Sequence, residues 1–574
     1  MRELGLMEDP EVIAWLSWRD VRGTEPDLDE IRAMVTRVGR DWLLRSLSMI
    51  GTLLTNTGMD ESKQRALAAE LLVGSDRERA LELFDSGKVG AFVHPRGVIV
   101  AIKLALRYAA GATNAVDASL IGPVLLASNE LASTWVAESL DDAASIAIRS
   151  SVLDLLEQPR YLLPRYHELL AERASVLADQ IGLDIGALFE AASGGLSIAD
   201  YLALTMVVYA VLRQFNRAQV FDEQNYGLAV ADVARRALSP EVWEKYEQLM
   251  VTEVEAAAAV VAGDDEPGLT FEQFNSLRAR PLVRLSNGDI VPVWLPWLLA
   301  KAGDGMRWTI QTALAGDGPA INRFTDALGS IFEDYAFALL ARLYPDHGEL
   351  QCLYPEIDYR RGGNVEKSND ATLFIGDSAF FFEFTITAPP SLILFNGDLE
   401  GYRAFIRSRF LREGTNQKLL KLERRISDFL SGELRFGPDY RQFVKRIFPV
   451  LVTLVPWPHH HVIARAIEPD FTPLVLLRGS AQGDVTIDPW RLASIEEMEM
   501  LEGSLLAGDA DIQSIFAGWA SSRYCDSTLN NYLFLERPWH EVQNPHLREK
   551  YLTITNGLKE GAARLVRLDP EGST

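Results

Sequence analysis

The spacing of apolar residues changes character about halfway along the chain. From Asp27 to Leu54, residues Ile31, Met34, Val35, Val38, Trp42 and Leu43 recur at helical spacing, and Pro26 before them suits a helix start. Similar patterns predict helices around 62–72, 97–109, 122–139, 143–156, 165–181, 198–215 and 227–237. Ser239-Pro240-Glu241 marks another start, with proline in the first helical position. Leu202 to Leu212 is apolar nearly all round, so that helix is expected to be buried. No fixed-period repeat is evident, which excludes a solenoid reading. Gly263 to Gly268 then reads as a linker.

Beyond the linker the period shortens. Pro281 to Trp294 places Asn287-Gly288 between alternating apolar runs, a hairpin signal. A helix is expected over 321–343. Three strands are expected over 350–387: Leu350 to Tyr359, Ser368 to Ile375 and Ala379 to Ile386, the last two joined by a turn at Gly376-Asp377-Ser378. A helical region over 402–430 and a buried strand from Ile447 to Val455 follow. The remainder mixes a strand, Leu474 to Leu477, with helices. The fold class is therefore α+β: a large all-α N-terminal region, an αβββαβ domain and a small mixed C-terminal region. The expected divisions are 1–265, 270–320, 321–470 and 471–574.

Composition narrows the setting. The 574 residues suffice for about three or four domains. Two cysteines, Cys352 and Cys525, cannot form a disulfide framework, which points to a reducing compartment. Met1-Arg2-Glu3-Leu4 lacks the pattern of a secretory signal, and Tyr201 to Leu212 is too short to span a bilayer. A cytoplasmic protein without membrane contact is expected. The net charge of −24 argues against indiscriminate nucleic-acid binding. Its distribution is uneven: residues 1–270 carry 24 basic and 41 acidic side chains, whereas 401–450 carry 12 basic and 5 acidic. One basic segment in an acidic chain is either a solvated helix face or a local phosphate-facing surface.

The chemistry concentrates in 329–430. Asp370 lies near the start of the second strand and Glu383 towards the end of the third. An antiparallel hairpin brings these ends together. Alternation puts Phe381, Glu383 and Thr385 on one face and Phe382, Phe384 and Ile386 on the other. A carboxylate in so apolar a strand is costly unless exposed, paired or metal-bound. Two convergent carboxylates offer hard oxygen ligands to Mg²⁺ or Mn²⁺, which can polarise a phosphodiester and activate water. Glu333, on the preceding helix, is a third acidic candidate.

This arrangement resembles the PD-(D/E)xK nuclease superfamily, the restriction-endonuclease-like fold, over about 330–460. The resemblance implies an αβββαβ core in which Asp370 and Glu383 are catalytic and metal-binding acids and Glu333 is the first-helix acid. It also implies an endonuclease acting on DNA, more readily than RNA, in bacterial anti-phage or restriction-type defence. One position departs: Thr385 stands where the motif has lysine, and threonine supplies no cation. The following helix offers Gln417, Lys418 and Lys421, and Lys421 or Lys418 is the expected substitute. Arg403, Arg407, Arg409, Arg412, Arg424 and Arg425 are the expected phosphate contacts. The N-terminal helical half is assigned to sensing, self-association or a protein partner. The rival reading of Thr385 is a degenerate, non-cleaving domain that binds nucleic acid or serves as a scaffold.

Other candidates are weaker. His459-His460-His461 suits a loop better than a metal site, because adjacent strand residues diverge. Cys352 reads as a buried thiol. Glu356 and Asp358 replace Asp370 as ligands if the strands lie elsewhere, and Trp294 and Trp297 read as core.

Overall fold

The computed structural model describes residues 15–57, 60–111, 116–132, 139–154, 158–214, 226–227, 230–262, 275–345, 348, 351–411, 417–437, 440–509, 511–536 and 542–567. The chain divides into two compact units, one made of Met1–Ala137, Gly186–Ala313 and Tyr551–Thr574, the other of Glu138–Ile185 and Leu314–Lys550. Helices dominate the first and a mixed sheet organises the second. Residues 138–185 therefore join the sheet-bearing unit rather than the helical one that precedes them in sequence.

In the helical unit, the helix Pro95–Tyr108 is buried along twelve consecutive residues, starting with a proline in its first turn and capped by His94. Ile198–Gln214 is the apolar helix expected near 198–215, with Tyr201 to Leu212 all buried. The expected hairpin is present. Leu282–Arg284 pairs antiparallel with Ile290–Pro292, and Leu282–Arg284 also runs parallel to Val251–Glu253. Gly288 takes φ of 90° in the turn, a conformation glycine adopts without cost. Trp294 and Trp297 are buried as core. The expected linker 263–268 lies outside the described residues.

In the second unit we label α1 Pro159–His167, α2 Gly318–Leu343, β1 Gln351–Pro355, β2 Asp358–Arg361, β3 Asn364–Lys367, β4 Ala371–Ile375, β5 Ser378–Thr385, α3 Leu399–Ile406, α4 Lys418–Ser431, β6 Arg446–Thr453, β7 Ser480–Gln482, β8 Val485–Ile487, β9 Arg491–Ser494 and α5 Ile495–Ala507. The main sheet runs β7-β8-β6-β5-β4-β1, and β9 also pairs with β6. β1, β4 and β5 pair antiparallel, whereas β5 and β6 pair parallel over eight residues, from Ser378 opposite Arg446 to Thr385 opposite Thr453. A parallel pair requires a crossover, and α3 and α4 supply it.

β5 is buried along its whole length, as a central strand between two covered faces should be. Its two faces meet different helices. Phe381 packs on Phe429 of α4, with ring centres 5.5 Å apart, and Phe384 packs on Phe332 of α2 at 6.3 Å. Glu383 and Thr385 share the face of Phe381, so they look towards α4.

Two expectations about strands are corrected. Leu350 to Tyr359 is not one strand: β1 ends at Pro355, and the chain turns into the separate hairpin β2–β3. Its two-residue loop is Gly362-Gly363, both at positive φ, the geometry tight hairpins prefer. Leu474 to Leu477 is not a strand either. The amides of Val475, Leu476 and Leu477 donate to the Glu423 carboxylate at 2.8–3.1 Å instead of entering a ladder.

α5 carries buried acids. Glu499 is fully buried and accepts from Arg165 of α1 at 2.6 and 2.8 Å and from Tyr335 of α2 at 2.6 Å. Glu502, also fully buried, accepts from Arg342 at 2.5 Å and Asn544 at 2.7 Å. Buried charge is tolerated where it is paired and hydrogen-bonded in this way. No described helix is long and apolar enough to cross a membrane.

A candidate active site of carboxylates and lysines

The site is built by the β4–β5 register. Ala371 faces Phe382, so Asp370, one residue earlier, falls opposite Glu383, one residue later. The segment before β4 is fixed by its own side chains. Asn369 donates to the carbonyl of Ala371 and accepts from Thr372 Oγ1 at 3.0 Å, and Ser368 Oγ accepts from Ile357 N–H at 2.9 Å. Asp370 Oδ2 accepts the amide of Phe384 at 2.7 Å, which aims the carboxylate across the sheet.

Both helix lysines converge on this pair. Lys418 Nζ lies 2.7 Å from Asp370 Oδ2 and 3.0 Å from Glu383 Oε2. Lys421 Nζ lies 3.1 Å from Asp370 Oδ1 and 3.1 Å from Glu383 Oε1. Each ammonium therefore bridges the same two carboxylates. Their spacing of three residues places them side by side on α4. Glu333 Oε1 stands 3.5 Å from Lys418, and Glu356 Oε1 stands 3.5 Å from Lys421. Exposure rises outward: the side chain of Glu383 is 0% exposed, Asp370 6%, Lys418 21%, and Glu333 45%. The site thus has a closed floor and an open rim.

The charges are set by this gradient. Burial, reinforced by the charge of Asp370, pushes the Glu383 carboxyl up to about 7 despite the two lysines. Burial also works against the charge of Asp370, but Lys418 and Lys421 outweigh it and hold that carboxyl at about 2. Burial works against the Lys418 charge as well. Glu383, Asp370 and Glu333 prevail, and its ammonium is held above the ordinary value. Burial and the charge of Asp370 raise Glu333. Two adjacent carboxylates with divergent proton affinities are a recurrent property of catalytic centres.

Three carboxylates, the chemistry a hard divalent cation takes, belong to this site, but the lysines occupy the ground between them. Asp370, Glu383 and Glu333 offer carboxylate oxygens to one region. Both Glu383 oxygens are buried and meet no hydrogen-bond geometry, although each lies within ion-pair distance of an ammonium. Among the described residues no three acidic, histidine or cysteine side chains stand at metal-ligand spacing, and the ammonium groups fill the space between the carboxylates.

Thr385 shares the Glu383 face and is nearly buried, and its hydroxyl accepts from Thr387 N–H at 3.1 Å. It brings no charge to the site. Gln417 is the N-cap of α4, and its backbone carbonyl accepts from Lys421 N–H at 2.7 Å. Glu356 joins the rim beside Asp370 rather than replacing it, and Lys367 pairs with it at 2.6 Å. The Glu356–Lys367 pair was not legible, because it depends on the unforeseen β2–β3 hairpin. Asp358 is exposed on β2.

The arginines divide. Arg425 is buried against Glu366, Asp428 and the Tyr359 hydroxyl, so its expected phosphate contact is corrected to a structural one. Arg403 is likewise committed, to Asp141, Glu400, Asp470 and the carbonyl of Ala466. Arg407 is half exposed and pairs with Glu400 and Asp470. Arg409 and Arg424 are exposed, and Arg412 lies outside the described residues. His460 caps the helix His461–Ile467, Nδ1 accepting from Val462 N–H at 3.3 Å. No protein-family model, curated protein or solved structure matches this chain.

Proposed function

We propose that the second unit is a Mg²⁺- or Mn²⁺-dependent endonuclease of the PD-(D/E)xK type, acting on DNA in anti-phage or restriction-type defence. The observation that carries the reading is the double bridge of Lys418 and Lys421 across Asp370 and Glu383. Thr385 leaves the motif without its cation, and α4 supplies two. After α2, the main sheet takes the three strands β1, β4 and β5, then the helical crossover with α3 and α4, then the parallel strand β6, and this order supports the same reading.

Asp370, Glu383 and Glu333 would hold the metal, which when bound polarises the phosphodiester and activates water. Asp370 stays ionised through the working pH range. Glu383 exchanges a proton near neutrality at its carboxyl, as a group handling water does. Lys418 and Lys421 keep their protons and offer them to the phosphate oxygens. The closed floor excludes bulk water, which strengthens each of these interactions.

Purified protein incubated with plasmid, single-stranded DNA or RNA is expected to cut DNA with Mg²⁺ and not with EDTA. Asp370→Ala or Glu383→Ala lowers the rate by about 100-fold or more. Cleavage persisting at the wild-type rate in both variants sinks the assignment.

The direct lysine–carboxylate pairing favours one second reading: a nuclease fold whose lysines neutralise its acids permanently, kept for binding nucleic acid. Magnesium titration separates the two, because such a relic neither binds the ion at Asp370 and Glu383 nor cuts.

A further inference from the structure

The Lys418 ammonium stands among three carboxylates. It lies 2.7 Å from Asp370 Oδ2, 3.0 Å from Glu383 Oε2 and 3.5 Å from Glu333 Oε1. These are the three acids that the nuclease reading gives to a metal ion, so a cation on a tether already holds the position. Lys421 is also ringed by three carboxylates, at 3.1, 3.1 and 3.5 Å, but its outer neighbour Glu356 is neutralised by Lys367 at 2.6 Å. Glu333 has no such second cation: among the described residues its one ion pair is with Lys418. Four ionised carboxylates therefore face three ammonium groups, and the surplus negative charge lies at Glu333, on the Lys418 side.

A divalent cation and an ammonium cannot share this ground, since like charges a few ångströms apart in a buried site repel strongly. A divalent ion in place of the Lys418 ammonium leaves the cluster neutral, so the exchange is favoured once the lysine has somewhere else to go. Lysine is suited to leaving: its charge rides on a flexible four-carbon stem, and its side chain is 21% exposed at the rim, above the closed Glu383. A second anion arriving at the rim gives it a new partner, and the phosphodiester of the nuclease reading is such an anion. We propose that Lys418 plugs the metal position in the free protein, and that a divalent ion enters only as a substrate phosphate draws the ammonium out. Metal and nucleic acid then bind cooperatively, each raising the affinity for the other by the same factor. The trigger rests on the nuclease reading, whereas the plug rests on the three distances alone.

The test is titration of the full chain with Mn²⁺, free ion being read by its electron paramagnetic resonance signal, with and without a phosphorothioate DNA duplex that resists cleavage. A titration of the duplex alone supplies its own Mn²⁺ uptake. Wild-type protein is expected to bind Mn²⁺ about 10-fold or more tightly with the duplex than without it. Without the duplex, Lys418→Met is expected to bind about 10-fold or more tightly than wild type, and Lys421→Met to gain less. Adding Asp370→Ala to Lys418→Met is expected to remove the gain, which ties it to this site. Circular dichroism checks that the variants are folded, and Lys418→Gln, which keeps a polar group over the acids, is expected to show the same gain. The proposal is overturned if neither Lys418 variant binds more tightly than wild type, if Lys421→Met gains as much, or if a duplex shown by fluorescence anisotropy to be bound leaves the wild-type affinity unchanged. Wild-type protein that binds Mn²⁺ alone as tightly as Lys418→Met and also cuts DNA sinks the plug and leaves the nuclease reading standing. A duplex that does not bind at all counts against the nuclease reading, and the comparison of Lys418→Met with wild type still decides the plug.

Discussion

Glu383 is the residue whose surroundings demand the most. It sits towards the end of a strand buried along its whole length, and its carboxyl binds a proton up to about pH 7. The folded value lies above the ordinary carboxylate value. Its contribution to stability is therefore fully present below about 4.5 and is lost as the pH rises through about 7. Denaturant titrations at pH 5 and pH 8 are expected to show this loss in wild-type protein and a smaller one in Glu383→Gln. Metal binding runs the other way. The ion competes with the Glu383 proton, so Mg²⁺ affinity measured by calorimetry should weaken about tenfold per pH unit below 7. Equal affinity at pH 5.5 and 7.5 would show that Glu383 is not a ligand. The Asp370–Glu383 pairing was legible in sequence because a two-residue turn and strict alternation determine which residues meet. The choice between Lys418 and Lys421 was not, since it depends on how α4 rolls against the sheet; in the structure both reach the two acids.

At the scale of the element, α4 is doubly committed. Lys418 and Lys421 hold its inner face to the strand acids, and Glu423 holds a loop on its outer face. Lys418→Ala and Lys421→Ala should each cost about 1–3 kcal/mol, with non-additive coupling in the double variant, because the second loss leaves two buried carboxylates uncompensated. Urea denaturation of the four proteins measures this coupling; strict additivity would mean that the lysines act independently. The Leu474–Leu477 segment shows why local pattern misled. Four apolar residues resemble a buried strand, but three of their amides are taken by one glutamate 52–54 residues away in sequence, and that demand cannot be read locally. The β2–β3 hairpin failed for a different reason: the expected strand Leu350 to Tyr359 ran past the break at Glu356-Ile357, and Gly362-Gly363, itself a turn signal, was given no hairpin.

At the scale of the molecule, the second unit is held together by charges that sequence reasoning assigns to surfaces. Ile495–Ala507 has acids on every side, and nothing in its pattern identifies Glu499 and Glu502 as buried. Arg165→Met should destabilise the unit by about 3–5 kcal/mol, because Glu499 then lies buried without its cation, and Arg165→Met with Glu499→Leu should recover much of the loss. Thermal unfolding of single and double variants tests this, and a double variant no more stable than the single one argues against it.

The Arg165–Glu499 pair spans 334 residues of chain. At roughly 5–20 residues per second, the ribosome delivers Glu499 about 20–70 s after Arg165. For that interval α1 has emerged while the acid that neutralises it does not yet exist, so the sheet-bearing unit cannot close around a nascent, partly translated chain. The last contacts that complete this unit therefore form only once α5 has been made.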